Sequence, residues 1–130
     1  MSLPESNELS QPKLLIIEDD VMQQKIMSAN ISSYGYACET ALSGAEGMKI
    51  ARESLPDLIL MDIQIPQVDG ITAFKILQSE SSTMKIPIIA LTSCAMGGDR
   101  EKFLSLGFRD YIAKPISIHG LLALVDSSCS

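Results

Sequence analysis

The sequence predicts an α/β fold: a doubly wound, five-stranded parallel sheet in the order 2-1-3-4-5. Three observations point to it. Strand and helix signals alternate five times from Lys13 onward. The strand candidates are short, almost unbroken apolar runs, such as Leu14-Leu-Ile-Ile, Leu58-Ile-Leu-Met and Ile88-Ile-Ala-Leu, which suits strands buried on both faces. The runs stop at charged or hydroxyl residues: Glu18-Asp19-Asp20, Asp62, Thr92-Ser93, and Lys114-Pro115 after Tyr111-Ile-Ala. Right-handed crossovers leave few topologies for such a chain. In this one, ligands sit at the carboxyl ends of the strands, near the switch point between strands one and three.

Each element has its own local signal. Strand one covers about residues 14–18. Helix one covers 21–34, with Asp20 as N-cap, Gln23 three residues on, and Met27, Ile31 and Tyr34 on one face. Gly35 ends it. A weaker strand covers 36–40. Ser43 and Glu46 form a capping box for a helix to about residue 53, with Met48 and Ala51 inward. Pro56 stops that helix, and strand three covers 57–61. Pro66 and Gly70 bracket the loop after Asp62, and helix three, 71–78, turns Ile71, Phe74 and Leu77 inward. A polar loop follows at 79–83, and Pro87 opens strand four, which runs to residue 91. Gly97-Gly98 precede helix four, 99–106, and Gly107 closes it. Strand five is 109–113, and Ser117 caps a final helix to about residue 125.

At 130 residues the chain is expected to form one domain, from 13 to 127. Residues 1–12, polar with Pro4 and Pro12, read as a disordered leader, and 128–130 as a tail. A net charge of −6 argues against nucleic acid as a direct partner, because the phosphate backbone would be repelled. No apolar run approaches the roughly 18 residues of a membrane span, and no signal segment opens the chain, so a cytoplasmic protein is expected. Cys38, Cys94 and Cys129 are odd in number and lack metal spacing, which suits reduced structural thiols.

The strand tips carry the chemistry. Glu18, Asp19 and Asp62 would meet in one cleft with Thr92 and Lys114. Clustered carboxylates repel one another unless a cation joins them. Hard oxygen ligands suit Mg²⁺, and a lysine beside them suits a phosphoryl group.

Four motifs in order resemble the receiver domain of two-component response regulators, over about residues 13–125. They are Glu18-Asp19-Asp20, Met61-Asp62-Ile-Gln-Ile-Pro66-Gln-Val-Asp69-Gly70, Leu91-Thr92-Ser93 and Tyr111-Ile-Ala-Lys114-Pro115. The resemblance implies a flavodoxin-like, three-layer α/β/α fold and a phosphoacceptor signalling domain, not a turnover enzyme. Asp62 would take a phosphoryl group from a phosphohistidine of a histidine kinase or histidine phosphotransfer protein. Mg²⁺ would be held by Asp19, Asp62 and the Gln64 backbone carbonyl, with Glu18 acting through a water. Lys114 would pair with Asp62 at rest and with phosphoryl oxygens afterwards. Thr92 would donate its hydroxyl to the phosphoryl group, as would the backbone N–H groups of Ile63 and Ser93. Thr92 and Tyr111 would form a switch that alters the face of helix four, strand five and helix five for a downstream partner, or for a homodimer. Arg100, Phe103, Tyr111 and the last helix belong to that expected surface. That helix is apolar on more than one side, either as a docking face or because it is covered.

Glu18 stands where many members of the family have aspartate, keeping the charge with a longer reach. Gln64 and Cys94, each two residues beyond a site residue, occupy places that the resemblance links to phosphate lifetime. Cys94 would orient an attacking water poorly, since a thiol is a weak hydrogen-bond partner.

Two other functions compete. A Mg²⁺-dependent phosphatase with an aspartyl nucleophile needs a second aspartate two residues on, and Gln64 is there instead, with no lid insertion. A binding module that works without phosphorylation would lose an acidic, threonine or lysine position, and none is lost. Plainer readings stand beside the sharp ones. Asp20 caps a helix, Thr92 could bond locally at a strand end, Asp57 and Asp110 cap loop ends, His119 decorates the surface, and Asp69-Gly70 is a turn.

Overall fold

The computed structural model of the protein describes residues 12–64, 70–92, 99–114 and 116–129. Strands β1 Lys13–Ile17, β2 Ala37–Ala41, β3 Leu58–Asp62, β4 Ile88–Thr92 and β5 Asp110–Ala113 pair in parallel in the order β2-β1-β3-β4-β5. Helices α1 Val21–Ser33, α2 Gly44–Ser54, α3 Gly70–Ser79, α4 Asp99–Leu106 and α5 Ile118–Cys129 alternate with them. The doubly wound topology and the strand order are those the apolar runs predict.

Alternation of side chains along each strand sorts the core into two layers. Leu15, Ile17, Ile59 and Met61 pack with Ala51 of α2, Phe74 and Leu77 of α3 and Phe103 of α4. Leu14, Ile16, Leu58 and Leu60 pack on the other face with Met27 and Ile31 of α1 and Leu121 and Val125 of α5. Both faces are apolar, which is why the strands read as runs without alternation. The register aligns the strand tips. Ile17 lies opposite Met61 and Ala41, Asp62 opposite Leu91, and Thr92 opposite Ala113.

The helix starts follow their sequence signals. The Asp20 carboxylate accepts the Gln23 N–H at 3.1 Å, and Ser43 Oγ accepts the Glu46 N–H at 3.1 Å. Glu46 Oε1 accepts the N–H of Leu42, one residue before the cap, at 2.9 Å. Gly35 and Gly107, at φ 97° and 114°, turn the chain after α1 and α4 in a conformation that favours glycine. Leu55 ends α2 at φ 50° with half of its surface exposed (51%).

Several expectations need correction. Tyr34 is 58% exposed and is not on the inner face of α1. As the C-cap it leaves the helical spiral, and Gln24, Met27 and Ile31 form the buried stripe. Helix α3 starts at Gly70, so its buried stripe is Gly70, Ala73, Phe74 and Leu77, with Ile71 only half-buried. Helix α5 continues four residues past Val125, because Asp126-Ser-Ser-Cys129 contains neither glycine nor proline to stop it. It thus takes in residues expected to form a tail. Leu121, Leu122 and Val125 are buried, and Ile118 and Leu124 pack against the same layer, which accounts for much of its many-sided apolarity. Phe103 is buried at 3% exposure between Phe108 and Tyr111, and so is not part of an outer surface. At the other end of the domain, Pro12 is tied to the sheet through its carbonyl, which accepts the Ala37 N–H at 3.1 Å. Among the described residues, no helix is long and apolar enough to cross a membrane.

Candidate functional site

The paired strands β1 and β3 end side by side at the switch point, and three acidic residues, Glu18, Asp19 and Asp62, collect there. Glu18 follows β1 directly, and its N–H extends the ladder to Ala41 O at 3.0 Å. That bond fixes the backbone from which Glu18 and Asp19 project. Asp62 is the last residue of β3, a strand buried along its whole length. Thr92 ends β4, buried, and its carbonyl accepts the Lys114 N–H at 2.7 Å. Lys114 follows β5, so a backbone bond sets where its side chain leaves the sheet.

Oxygens of Glu18, Asp19 and Asp62 lie within 4.8 Å of one another. Lys114 Nζ lies 2.7 Å from Glu18 Oε1 and 3.0 Å from Asp62 Oδ2. The contact with Asp62 is a hydrogen bond, and Glu18 Oε1 meets the same ammonium as an ion pair. Glu18 Oε2 accepts the Asp20 N–H at 3.1 Å, and Asp62 Oδ1 accepts the Gln64 N–H at 2.8 Å. Glu18 is fully buried. Burial pushes its carboxyl up to about 7, with Asp62 adding repulsion, against the opposing pull of Lys114 and the Asp20 N–H. Burial also opposes the Lys114 charge, but Glu18 and Asp62 outweigh it and hold the ammonium above the ordinary lysine range.

One ammonium against three carboxylates leaves the cluster short of positive charge. Mg²⁺ takes oxygen ligands at about 2.0–2.1 Å, so oxygens facing each other across one ion stand about 4 Å apart. The three carboxylates offer oxygens within 4.8 Å of one another, close to that spacing, and Asp19 is exposed, which leaves the cluster open to solvent on one side. The donor set therefore fits a hard divalent cation.

The structure brings Glu18, Asp19, Asp62 and Lys114 into one cluster, with Thr92 at the adjoining strand end. Two expected placements differ. The Ile63 N–H does not point at an open phosphoryl site: it continues the β3–β4 ladder to Leu91 O at 3.1 Å, one residue past Asp62. Lys114 divides itself between two carboxylates, whereas the motifs suggested Asp62 alone; the extra reach of Glu18 over aspartate was the available signal. Tyr111 is half-buried in β5 with its ring tilted at 37° to that of Phe103, centroids 5.6 Å apart. Arg100 lies 3.5 Å from Asp110, which also accepts the Tyr111 N–H. Asp57 accepts the Lys13 N–H at 2.8 Å, a loop-end cap as expected. Ser93, Cys94, Pro66, Asp69, Gly97, Gly98, Pro115 and residues 1–11 lie outside the described residues, as does the side chain of Cys129. Cys38 is a free thiol, half-buried, and burial pushes it up to about 11, which makes it unreactive.

Sequence reading missed the apolar rim beside this cluster. Val21, Met22 and Ile26 of α1 are exposed directly after the acidic run. Next to them a cavity of about 160 Å³ is lined by Gln23, Ile26, Met27, Ile116 and Ile118. Their i, i+4 spacing was visible, but it reads equally as core.

Residues 14–126 match the family described as response regulator receiver domain. The polar-differentiation response regulator DivK of Brucella ovis is 40% identical over 114 residues, which span 88% of this chain and 93% of that protein. Among solved structures, the Francisella response regulator 1452 receiver domain superposes with a TM-score of 0.85 at 27% identity, covering 92% of this chain and 97% of that one. The receiver domain of the Pseudomonas aeruginosa sensor histidine kinase PA1611, solved with a magnesium ion coordinated in the active-site cleft, gives a TM-score of 0.82. It is 32% identical and covers 92% of this chain and 98% of that one. The matched span begins inside β1 and ends inside α5, taking in every strand tip from Glu18 to Lys114, and the chain belongs to the response regulator receiver domains of two-component systems.

Proposed function

We propose that this receiver domain accepts a phosphoryl group on Asp62 from the phosphohistidine of a histidine kinase or histidine phosphotransfer protein. The observation that carries the reading is the setting of the Asp62 carboxylate: buried at a strand end, held by Lys114 at 3.0 Å, and within 4.8 Å of two further carboxylates. A carboxylate oxygen attacks phosphorus, the oxygen–phosphorus bond forms, and the phosphorus–nitrogen bond breaks with its electron pair returning to the imidazole. The carboxylate has no proton to lose, so the site needs no general base.

Position and charge are what the protein supplies. Asp19, Asp62 and the Gln64 carbonyl would hold Mg²⁺, with Glu18 acting through a water; the bound ion neutralises charge on the phosphoryl oxygens. Lys114 shifts from Asp62 to a phosphoryl oxygen. The Thr92 hydroxyl and the Ser93 N–H donate to the others, and the Ile63 N–H joins them only by leaving Leu91 O. Phosphorylation favours an alternative packing of Thr92 and Tyr111, which carries the change to the α4-β5-α5 face and a downstream protein or second copy. The apolar rim of Val21, Met22 and Ile26 beside the cleft gives the phosphodonor an area to rest on. A cytoplasmic location follows from such a donor.

Transfer from a radiolabelled phosphohistidine protein tests the reading. With Mg²⁺, label moves to the wild-type chain and not to Asp62→Asn. Label reaching both chains equally would refute it. Continued hydrolysis of a small phosphate ester would favour the phosphatase instead.

A further inference from the structure

The Asp69-Gly70 pair reads in sequence as a turn, yet Gly70 does something a turn does not require. It is buried as the first residue of α3, and its N–H donates to Ile63 O at 3.1 Å. A Cβ built on it would stand 2.3 Å from Ile63 Cα, 2.6 Å from Asp62 O and 3.1 Å from Ile63 C. These are backbone atoms of the acceptor segment, so no rotamer change relieves the contact. The demand is for space.

We propose that Gly70 is a positioning residue of the acceptor site: the bare α-carbon lets α3 seat directly on the Asp62–Ile63 peptide and so fixes the acceptor carboxylate and the Gln64 backbone. The inference rests on the phosphoacceptor reading for its consequence but on this contact for its origin. Three hydrogen bonds among the described residues bear on the short segment. Ile63 donates to Leu91 O on one side, Gly70 donates to Ile63 O on the other, and Gln64 donates to the Asp62 carboxylate itself. Loosening the Gly70 bond weakens the hold of α3 on that segment. A methyl group would displace α3 or the Asp62–Gln64 backbone by on the order of 1 Å, the shortfall from ordinary carbon contact. Misplacement of that size at a reacting group costs about 100-fold in rate.

Gly70→Ala is compared with Leu77→Ala, a core lesion at the far end of the same helix, and with Gly120→Ala, where a Cβ meets Ser117 at an ordinary 3.7 Å. Mg²⁺ affinity is measured by titration of the folded protein below its unfolding temperature, and phosphorylation by acetyl phosphate is followed by intact mass. Gly70→Ala should weaken Mg²⁺ binding at least tenfold and slow phosphorylation about 100-fold. Leu77→Ala should lower the Tm with neither constant changed, and Gly120→Ala should match wild type. Wild-type Mg²⁺ affinity in folded Gly70→Ala, or an equal loss in Leu77→Ala, would overturn the proposal. If Gly70→Ala does not fold, the wild-type Gly70 amide decides the matter: its NMR signal must shift on Mg²⁺ addition together with that of Gln64, and an unmoved Gly70 signal contradicts the proposal. A wild-type chain that never gains phosphate sinks the phosphoacceptor reading, while the Mg²⁺ comparison still judges Gly70.

Discussion

Lys114 and Glu18 form the closest charge contact at the strand tips, with Nζ 2.7 Å from Oε1, tighter than the 3.0 Å from Nζ to Asp62. Both side chains are largely out of water, at 13% and 0% exposure. Removing one partner of a buried pair costs about 3–5 kcal/mol because the remaining charge is stranded. Lys114→Met should therefore destabilise the cation-free protein by about 3 kcal/mol, in urea unfolding at pH 7. Glu18→Gln should leave stability equal or higher, because it removes one of two carboxylates competing for the same ammonium. Loss of stability in both variants to the same extent would contradict this reading.

Glu18 also sets a pH dependence. Its folded carboxyl titrates near 7, against 4.5 for the ordinary group, so the folded chain holds that proton more tightly. The stability it contributes is complete below pH 4.5 and is lost as pH rises to about 7. The amount is on the order of 3 kcal/mol. In chelator, the difference in urea midpoint between wild type and Glu18→Gln should change across that window and be flat above it. A difference independent of pH would show that Glu18 titrates normally.

Mg²⁺ should raise stability by linkage, about 2.7 kcal/mol at a hundredfold excess over its Kd. Asp19 is the exposed member of the carboxylate set. Asp19→Asn should abolish most of the Mg²⁺-dependent gain in Tm while leaving the cation-free Tm within about 1–2 °C of wild type, as surface substitutions do. A full Mg²⁺ gain in Asp19→Asn would remove Asp19 from the site.

Two positions away from the site bear on stability alone. Leu55 sits at φ 50° with its side chain half-exposed. A non-glycine residue there costs roughly 1–2 kcal/mol, so Leu55→Gly should stabilise by about 0.5–1 kcal/mol after the entropy of glycine is counted. Thr83 is buried, and its hydroxyl donates to Leu77 O at 2.6 Å, serving the last turn of α3. Thr83→Val leaves that carbonyl with the longer bond from the Glu80 N–H at 3.4 Å and strips the buried hydroxyl's contact, which should cost about 1 kcal/mol. Urea midpoints moving in the same direction for both variants would contradict these assignments.

Thr83 and Leu55 also mark where sequence reading stops. Strand cores were legible because parallel strands buried on both faces must be apolar, and the polar residue ending each run marks the sheet's carboxyl edge. Asp62, Lys114 and Thr92 could be placed from that rule and the topology. Helix ends were legible where a side chain caps its own helix, as Asp20 and Ser43 do. Contacts between distant elements were not. Thr83 bonding back across six residues, Phe103 turning under Phe108 and Tyr111, and Lys114 reaching Glu18 depend on tertiary packing that no local pattern encodes. Gly70 is the sharpest instance, since asparagine or serine would satisfy a turn at that place as well, and only the approach of α3 to Ile63 excludes them.

The most direct measurement is intact mass of the protein incubated with acetyl phosphate and Mg²⁺, with the acyl phosphate trapped by borohydride and located by peptide mapping. One phosphoryl group per chain is expected, on Asp62, absent in Asp62→Asn and greatly reduced in chelator. Phosphate on another residue, or equal incorporation in Asp62→Asn, would contradict it.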